Sequence, residues 1–109
     1  MKKFIFGILT YNQENYVLET LESIKYQKIH YGSECEVSLI ITDDASKDRT
    51  VAVMKDWIEK NRVYFEKIDL IANEKNKGTG ANFKTIVSNV KGEYLKIIAG
   101  DDLIGSKNV

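Results

Sequence analysis

The stretch "SLIITDDASKD", residues 38–48, decides how the chain is read. Glu36 to Thr42 is rich in β-branched residues and suits a buried strand. It ends in two adjacent carboxylates, Asp43 and Asp44. Ser46 then precedes a helical pattern whose apolar face is Thr50, Val53, Met54, Trp57 and Ile58, with Asp48 placed in its first turn. The same grammar returns at residues 97–102, "IIAGDD", where the strand Glu93 to Ala99 surfaces into Asp101 and Asp102.

Working outward, strand and helix periods alternate along the whole chain. Lys3 to Leu9 is a short apolar run suited to a buried strand. From Asn15 onward Val17, Leu21 and Ile24 recur at helical spacing with Leu18 beside them, and Asn12 is the expected N-cap. Phe65 to Ala72 reads as a third strand. Phe83, Ile86, Val87 and Val90 form an i, i+3, i+4, i+7 set, a third helix stopped by Gly92 at the C′ position. No hairpin signal such as an Asn-Gly turn interrupts the order. Strands separated by helices imply an α/β fold, an open parallel sheet of about four strands joined by right-handed crossovers.

Such sheets bind ligands outside the carboxyl ends of their strands. Thr10, Tyr11, Asn12, Asp43, Asp44, Asn76, Asp101 and Asp102 all follow strands, so one rim gathers them from distant positions. Each Asp pair taken alone has a plain explanation, one carboxylate capping a helix and the other solvated. Two pairs on one rim suit a hard divalent cation, Mn²⁺ or Mg²⁺, bridging phosphate oxygens. A further carboxylate could accept a hydrogen bond from a base N–H, and Tyr11 could stack on that base. The stretch "NKGTGANF", residues 76–83, brings Gly78 and Gly80 to the start of the third helix, where anions are favoured. It is neither a Walker A loop nor a dinucleotide fingerprint.

Composition narrows the classes. With 109 residues there is room for one domain, and the 43% hydrophobic and 29% charged shares are those of a globular protein. Sixteen basic and sixteen acidic residues cancel, which argues against bulk nucleic-acid binding. Cys35 is alone and reads as a small, partly buried apolar residue; the lack of an internal disulfide fits a reducing compartment. His30 is the single histidine, so a zinc site or a Cys–His dyad would have to be built from one of each, and "KIHYGSEC" reads as a connecting loop instead. The opening "MKKFIFGILTYNQ" is basic, but its apolar run is short for a secretory signal, and no segment has the length of a membrane span.

Four motifs in order carry a resemblance: "ILTYNQENYVLETLESIKYQ", "IITDDASKDRT", "NKGTGANF" and "KGEYLKIIAGDDL". Together they resemble the family 2 glycosyltransferases over nearly the whole chain. The resemblance implies the nucleotide-binding, Rossmann-like half of a GT-A fold, with strand order 3-2-1-4 and helices on both faces. It implies a nucleotide-sugar donor, usually a UDP-sugar, with Mn²⁺ or Mg²⁺ as cofactor and a saccharide or other hydroxyl as acceptor. Thr10 and Tyr11 match positions lining the base, Asp44 matches the carboxylate on its imide, and Asp43 supports that loop. Asn12, Asn76, Gly78 and Asn82 complete the expected nucleotide site. Asp101 matches the metal aspartate of the D-x-D element, with Asp102 beside it. The sequence departs from the family at Leu9, where a proline is common, at Ala99, where D-x-D begins, and at Asn82, where many members carry arginine.

The same resemblance places the catalytic base in a later half, with no counterpart before Val109. The expectation is therefore an N-terminal donor-binding part, residues 1–109, of an inverting enzyme, cut just after the metal motif. Two corollaries follow from it. The fourth strand would lie at an edge open to a second copy, and the protein would be cytoplasmic, at the inner face of the membrane if its remaining portion reaches there. A non-enzymatic alternative is a phospho-receiver-like or nucleotide-binding module. A receiver needs an aspartate after its middle strand, where this chain has "ANEKNKG".

Overall fold

A computed structural model describes residues 2–31, 34–92 and 94–100 of the chain. The elements run β1 (Lys2–Thr10), α1 (Val17–Tyr31), β2 (Cys35–Asp43), α2 (Thr50–Asn61), a 3₁₀ turn (Arg62–Tyr64), β3 (Lys67–Ala72), α3 (Thr79–Ser88) and β4 (Tyr94–Ala99). The four strands form one sheet in the order β3-β2-β1-β4. Every pairing is parallel: Phe4 sits opposite Val37 on one side and Tyr94 on the other, and Ser38 sits opposite Lys67. This is the expected order. It differs from the 2-1-3-4-5 order of receiver-type sheets.

Strand alternation sorts the side chains onto two faces. Phe6 and Ile8 of β1 join Val37, Leu39 and Ile41 of β2 in a core packed against Val17, Leu21 and Ile24 of α1 and Met54, Trp57 and Ile58 of α2. Each of these side chains, fully buried, contributes about 1.5–3 kcal/mol of transfer free energy. The opposite face carries a smaller cluster of Ile5, Ile40 and Ile86, flanked by Leu9, Ile71, Leu95 and Ile97. Among the described residues, α3 covers that side through a buried residue, Ile86. Gly7 lies beneath it in the central strand, and a Cβ there would come within 2.7 Å of Ile86 Cγ2 and of Ile97 Cδ1. The absence of a side chain at position 7 is what lets α3 approach the sheet.

Several local expectations are corrected. Asn12 does not cap α1: the helix begins at Val17, and Gln13 O accepts the amides of Tyr16 and Val17 at 3.0 and 2.9 Å. Asp48 lies two residues before α2 rather than in its first turn, where its Oδ1 accepts the Thr50 amide at 2.9 Å. On α3 the outward residues are Phe83 and Val87, at 44% and 42% exposure, while Asn82 and Ile86 are buried. The inward stripe therefore runs Asn82, Ile86, Val90: Ile86 and Val90 of the predicted set face the sheet, while Phe83 and Val87 do not and Asn82 takes the inward place. The helix stops at Ser88, where Asn89 N–H turns back to Ile86 O, so Gly92 is not its C′ residue. Cys35 packs partly buried against the larger core, as expected. Among the described residues no helix is long and apolar enough to cross a membrane.

Candidate functional site

The carboxyl ends of β1, β2 and β3 lie side by side because the strands are parallel and in register. Thr10 is opposite Asp43, and Asp43 is opposite Ala72. Backbone bonds extend this alignment past the strands: Asp44 N–H donates to Thr10 O at 3.0 Å, and Asn73 N–H to Asp43 O at 2.9 Å. On the other side of β1, Gly100 N–H donates to Leu9 O at 2.8 Å and Gly100 O accepts the Thr20 hydroxyl at 2.9 Å. Thus the chain just before Asp101 is fixed at the same rim. Asp101 and Asp102 themselves lie outside the described residues.

The two aspartates after β2 have different jobs. Asp43 is buried, and its carboxylate accepts the Thr10 hydroxyl at 2.7 Å, the Ser46 amide at 2.9 Å and the Ser46 hydroxyl at 2.6 Å. It is a strut that ties β1 to the loop after β2. Neither aspartate caps α2. The intervening turn places Ala45 at φ 60°, a left-handed conformation that costs a side chain about 1–2 kcal/mol.

Asp44 reaches toward the start of α3 instead. Its Oδ1 accepts the Lys77 amide at 2.6 Å and the Asn73 side-chain amide at 3.5 Å, while Oδ2 accepts the Gly78 amide at 3.1 Å. The Lys77 N–H holds this carboxyl down at about 2 against the opposing effect of burial, with Asn82, Gly78 and Asn73 adding to it. The hydrogen bonds of Asn82 itself run to Asn73 and Gly78, so it acts on Asp44 through that cluster. Asp44 is therefore an ionised, oriented acceptor at neutral pH. Gly78 supplies its N–H from φ 88°, a backbone region that favours glycine.

The remaining expected residues also meet here. Tyr11 projects from the rim, 44% exposed, with its N–H held by Gln13 Oε1 at 3.2 Å. Asn12, at φ 50°, bridges the loops: its N–H donates to Ser46 Oγ at 2.9 Å and its Oδ1 accepts the Lys47 amide at 2.8 Å. Asn76 donates through Nδ2 to the Asp44 backbone carbonyl. Asn82 is buried, with Oδ1 accepting from Asn73 Nδ2 at 2.6 Å and Nδ2 donating to Gly78 O at 3.0 Å. It serves the loop, and a direct ligand contact is closed to it. An open depression of about 450 Å³ lies between the loops after β2 and β3, lined in part by Ser46, Lys47, Asn73 and Asn76.

Sequence reasoning passed over Asn73 and Gln13. Asn73 is the first residue beyond β3, so the rim rule could have found it; Gln13 carries no such signal. Among the described residues no three His, Cys, Asp or Glu side chains come together to hold a metal ion.

Known proteins share this fold. The chain is 32% identical over 104 residues to abequosyltransferase RfbV of Salmonella typhimurium, covering 95% of this chain and 29% of RfbV. It superimposes on the crystal structure of Staphylococcus aureus TarS 1-349 in complex with UDP with a TM-score of 0.71 and 29% identity, covering 94% of this chain and 28% of that one. The mannosyltransferase PcManGT from Pyrobaculum calidifontis, in complex with GDP-Man and Mn²⁺, has the same fold at a TM-score of 0.78 and 23% identity, over 96% of this chain and 29% of PcManGT. The chain thus spans a third or less of the length of these relatives. The family model for glycosyl transferase family 2 matches residues 6–107, and the chain belongs to that family.

Proposed function

We propose that these 109 residues form the nucleotide-sugar-binding part of a glycosyltransferase that moves a sugar from a UDP-sugar to an acceptor hydroxyl by inverting displacement. The observation that carries the reading is Asp44, a carboxylate kept ionised and oriented by backbone amides on the same rim from which Tyr11 projects. An ionised carboxylate only accepts hydrogen bonds, so it selects a base edge presenting N–H, such as the uracil imide. Tyr11 offers that base a stacking face. Thr10 and Asp43 hold the two loops at a fixed separation, and Asn12 with Ser46 locks them together. UDP and GDP-mannose in the related structures support a nucleotide donor.

A divalent cation, when bound, offsets charge building on the departing diphosphate. We assign Asp101 and Asp102 to it from their place directly after Gly100 and from their carboxylate chemistry. We assign the catalytic base and the acceptor site to the further length that the relatives have and this chain does not span. A positioned base contributes about 10² to 10⁴ in rate, and holding both substrates together contributes more.

Isothermal titration of the 109-residue chain with UDP, GDP and ADP, with and without Mn²⁺, tests the reading. The expected result is UDP binding with a Kd between roughly 10 µM and 1 mM, strengthened by Mn²⁺, and no sugar transfer until the downstream portion is joined. Equal binding of all three nucleotides, or transfer by this chain alone at the rate of the longer protein, overturns it.

A further inference from the structure

A buried asparagine in the one stripe of α3 that faces the sheet needs a reason. Asn82 is 4% exposed and occupies a position that an apolar residue would fill at lower cost. Its hydrogen bonds form a directional chain. The Gly78 carbonyl can only accept, so it fixes Asn82 Nδ2 toward itself at 3.0 Å and turns Oδ1 outward. That oxygen requires a donor and finds Asn73 Nδ2 at 2.6 Å. The second hydrogen of the Asn73 amide then points to Asp44 Oδ1 at 3.5 Å. With the Lys77 amide also on Oδ1 and the Gly78 amide on Oδ2, Oδ1 is approached by two donors and Oδ2 by one, which leaves the more open acceptor side on Oδ2.

We propose that Asn82 and Asn73 are specificity-determining positioning residues, which leave Asp44 its more open acceptor side in a fixed direction and so restrict the site to a nucleoside diphosphate whose base offers an imide N–H. This rests on the reading of Asp44 as the base acceptor given above. The consequence is sharpest between two pyrimidines of one shape. Uracil places N3–H toward such an acceptor; cytosine places a lone pair at the same ring position and an amine beside it. A carboxylate free to rotate could turn an oxygen to that amine, whereas one held on three donors cannot. Sites built around a buried hydrogen bond reject analogues lacking the partner far more strongly than apolar pockets reject a changed shape.

The test is titration of the 109-residue chain and of Asn82→Leu, Asn73→Ala and Asp44→Asn with UDP and CDP, with a thermal melt of each protein. Asn82→Leu keeps the volume of the side chain and removes the relay; Asn73→Ala removes the donor at a half-buried loop position and decides the question alone if Asn82→Leu fails to fold. The parent chain is expected to prefer UDP at least tenfold, and both asparagine variants to fall to threefold or less through weaker UDP binding with CDP unchanged or tighter. Loss of both nucleotides in equal proportion, or retention of the parental ratio, overturns the relay. Asp44→Asn separates the two readings. If it abolishes the preference while the asparagine variants retain it, only the relay is wrong. If it leaves the preference intact, or if the parent shows none, Asp44 does not read the base and both fall.

Discussion

Replacing Gly7 by alanine should disturb the site from the opposite side of the sheet. The new methyl would stand 2.7 Å from Ile86 Cγ2 and Ile97 Cδ1, about 0.8 Å inside a comfortable carbon–carbon separation of about 3.5 Å. Ile97 Cδ1 is the tip of a side chain and can swing away. Ile86 Cγ2 is attached at Cβ and moves only if the rotamer changes or α3 lifts. Overpacking of this kind costs about 1–3 kcal/mol, against which alanine recovers about 0.5–1 kcal/mol by its better strand propensity. The net loss is centred on about 1 kcal/mol, or a Tm lower by roughly 4–8 °C for a domain of this size. Because the start of α3 supplies the amides that hold Asp44, UDP binding should weaken as well. The assay is a thermal melt of Gly7→Ala, Ile86→Ala and the double variant. Ile86→Ala alone should cost about 2–5 kcal/mol, and the added methyl should fill part of its cavity, making the double variant milder than the sum by about 1 kcal/mol. A Tm for Gly7→Ala at or above the parent's, or strict additivity of the pair, refutes the close approach of α3 to β1.

Gly78→Ala should cost about 1–2 kcal/mol from its φ of 88°, although open space surrounds it, while Ala45→Gly at φ 60° should be neutral or gain up to about 1 kcal/mol; urea titrations of the two variants check the contrast. Asp44 is held at about 2, below an unfolded value of about 3.9, so its stabilisation is complete above about pH 4 and disappears as pH falls toward 2. Melts between pH 2 and 5 should show that segment flattened in Asp44→Asn. Asp101→Asn should abolish the Mn²⁺-dependent strengthening of UDP binding, a loss of about 1–3 kcal/mol, and equal metal dependence in variant and parent counts against the assignment. The chain should self-associate through the β4 edge as concentration rises, and light scattering that reports a monomer throughout removes that idea.

Periodicity and punctuation made the architecture legible. "SLIITDD" and "IIAGDD" each announce a strand ending at a polar rim, and four such signals suffice for a parallel sheet. The face of α3 was misread because Phe83 and Val87 look like core, while the position facing the sheet belongs to Asn82, a polar residue retained for its hydrogen bonds. The cap at Asn12 was misread for a related reason. A residue with good capping chemistry bonds across 34 residues to Ser46 instead, a tertiary partner that local pattern does not reveal. Asp43 and Asp44 are adjacent and chemically identical, and strand alternation explains why one becomes a buried strut. That the other is held by the start of α3 depends on β3 lying next to β2, which no local window contains.

The central place of β1 has a consequence during synthesis. Its partner on one side, β2, is complete at Asp43, but the partner on the other side begins only at Tyr94. At about 5–20 residues per second, the roughly 50 residues between them take about 3–10 s to emerge. Through that interval the β1 edge from Phe4 to Leu9 stands open on the nascent chain, able to pair with a strand of a neighbouring polypeptide. Slower elongation across residues 44–93 lengthens the exposure and raises the yield of co-aggregate, while the protein that escapes it folds to the same end.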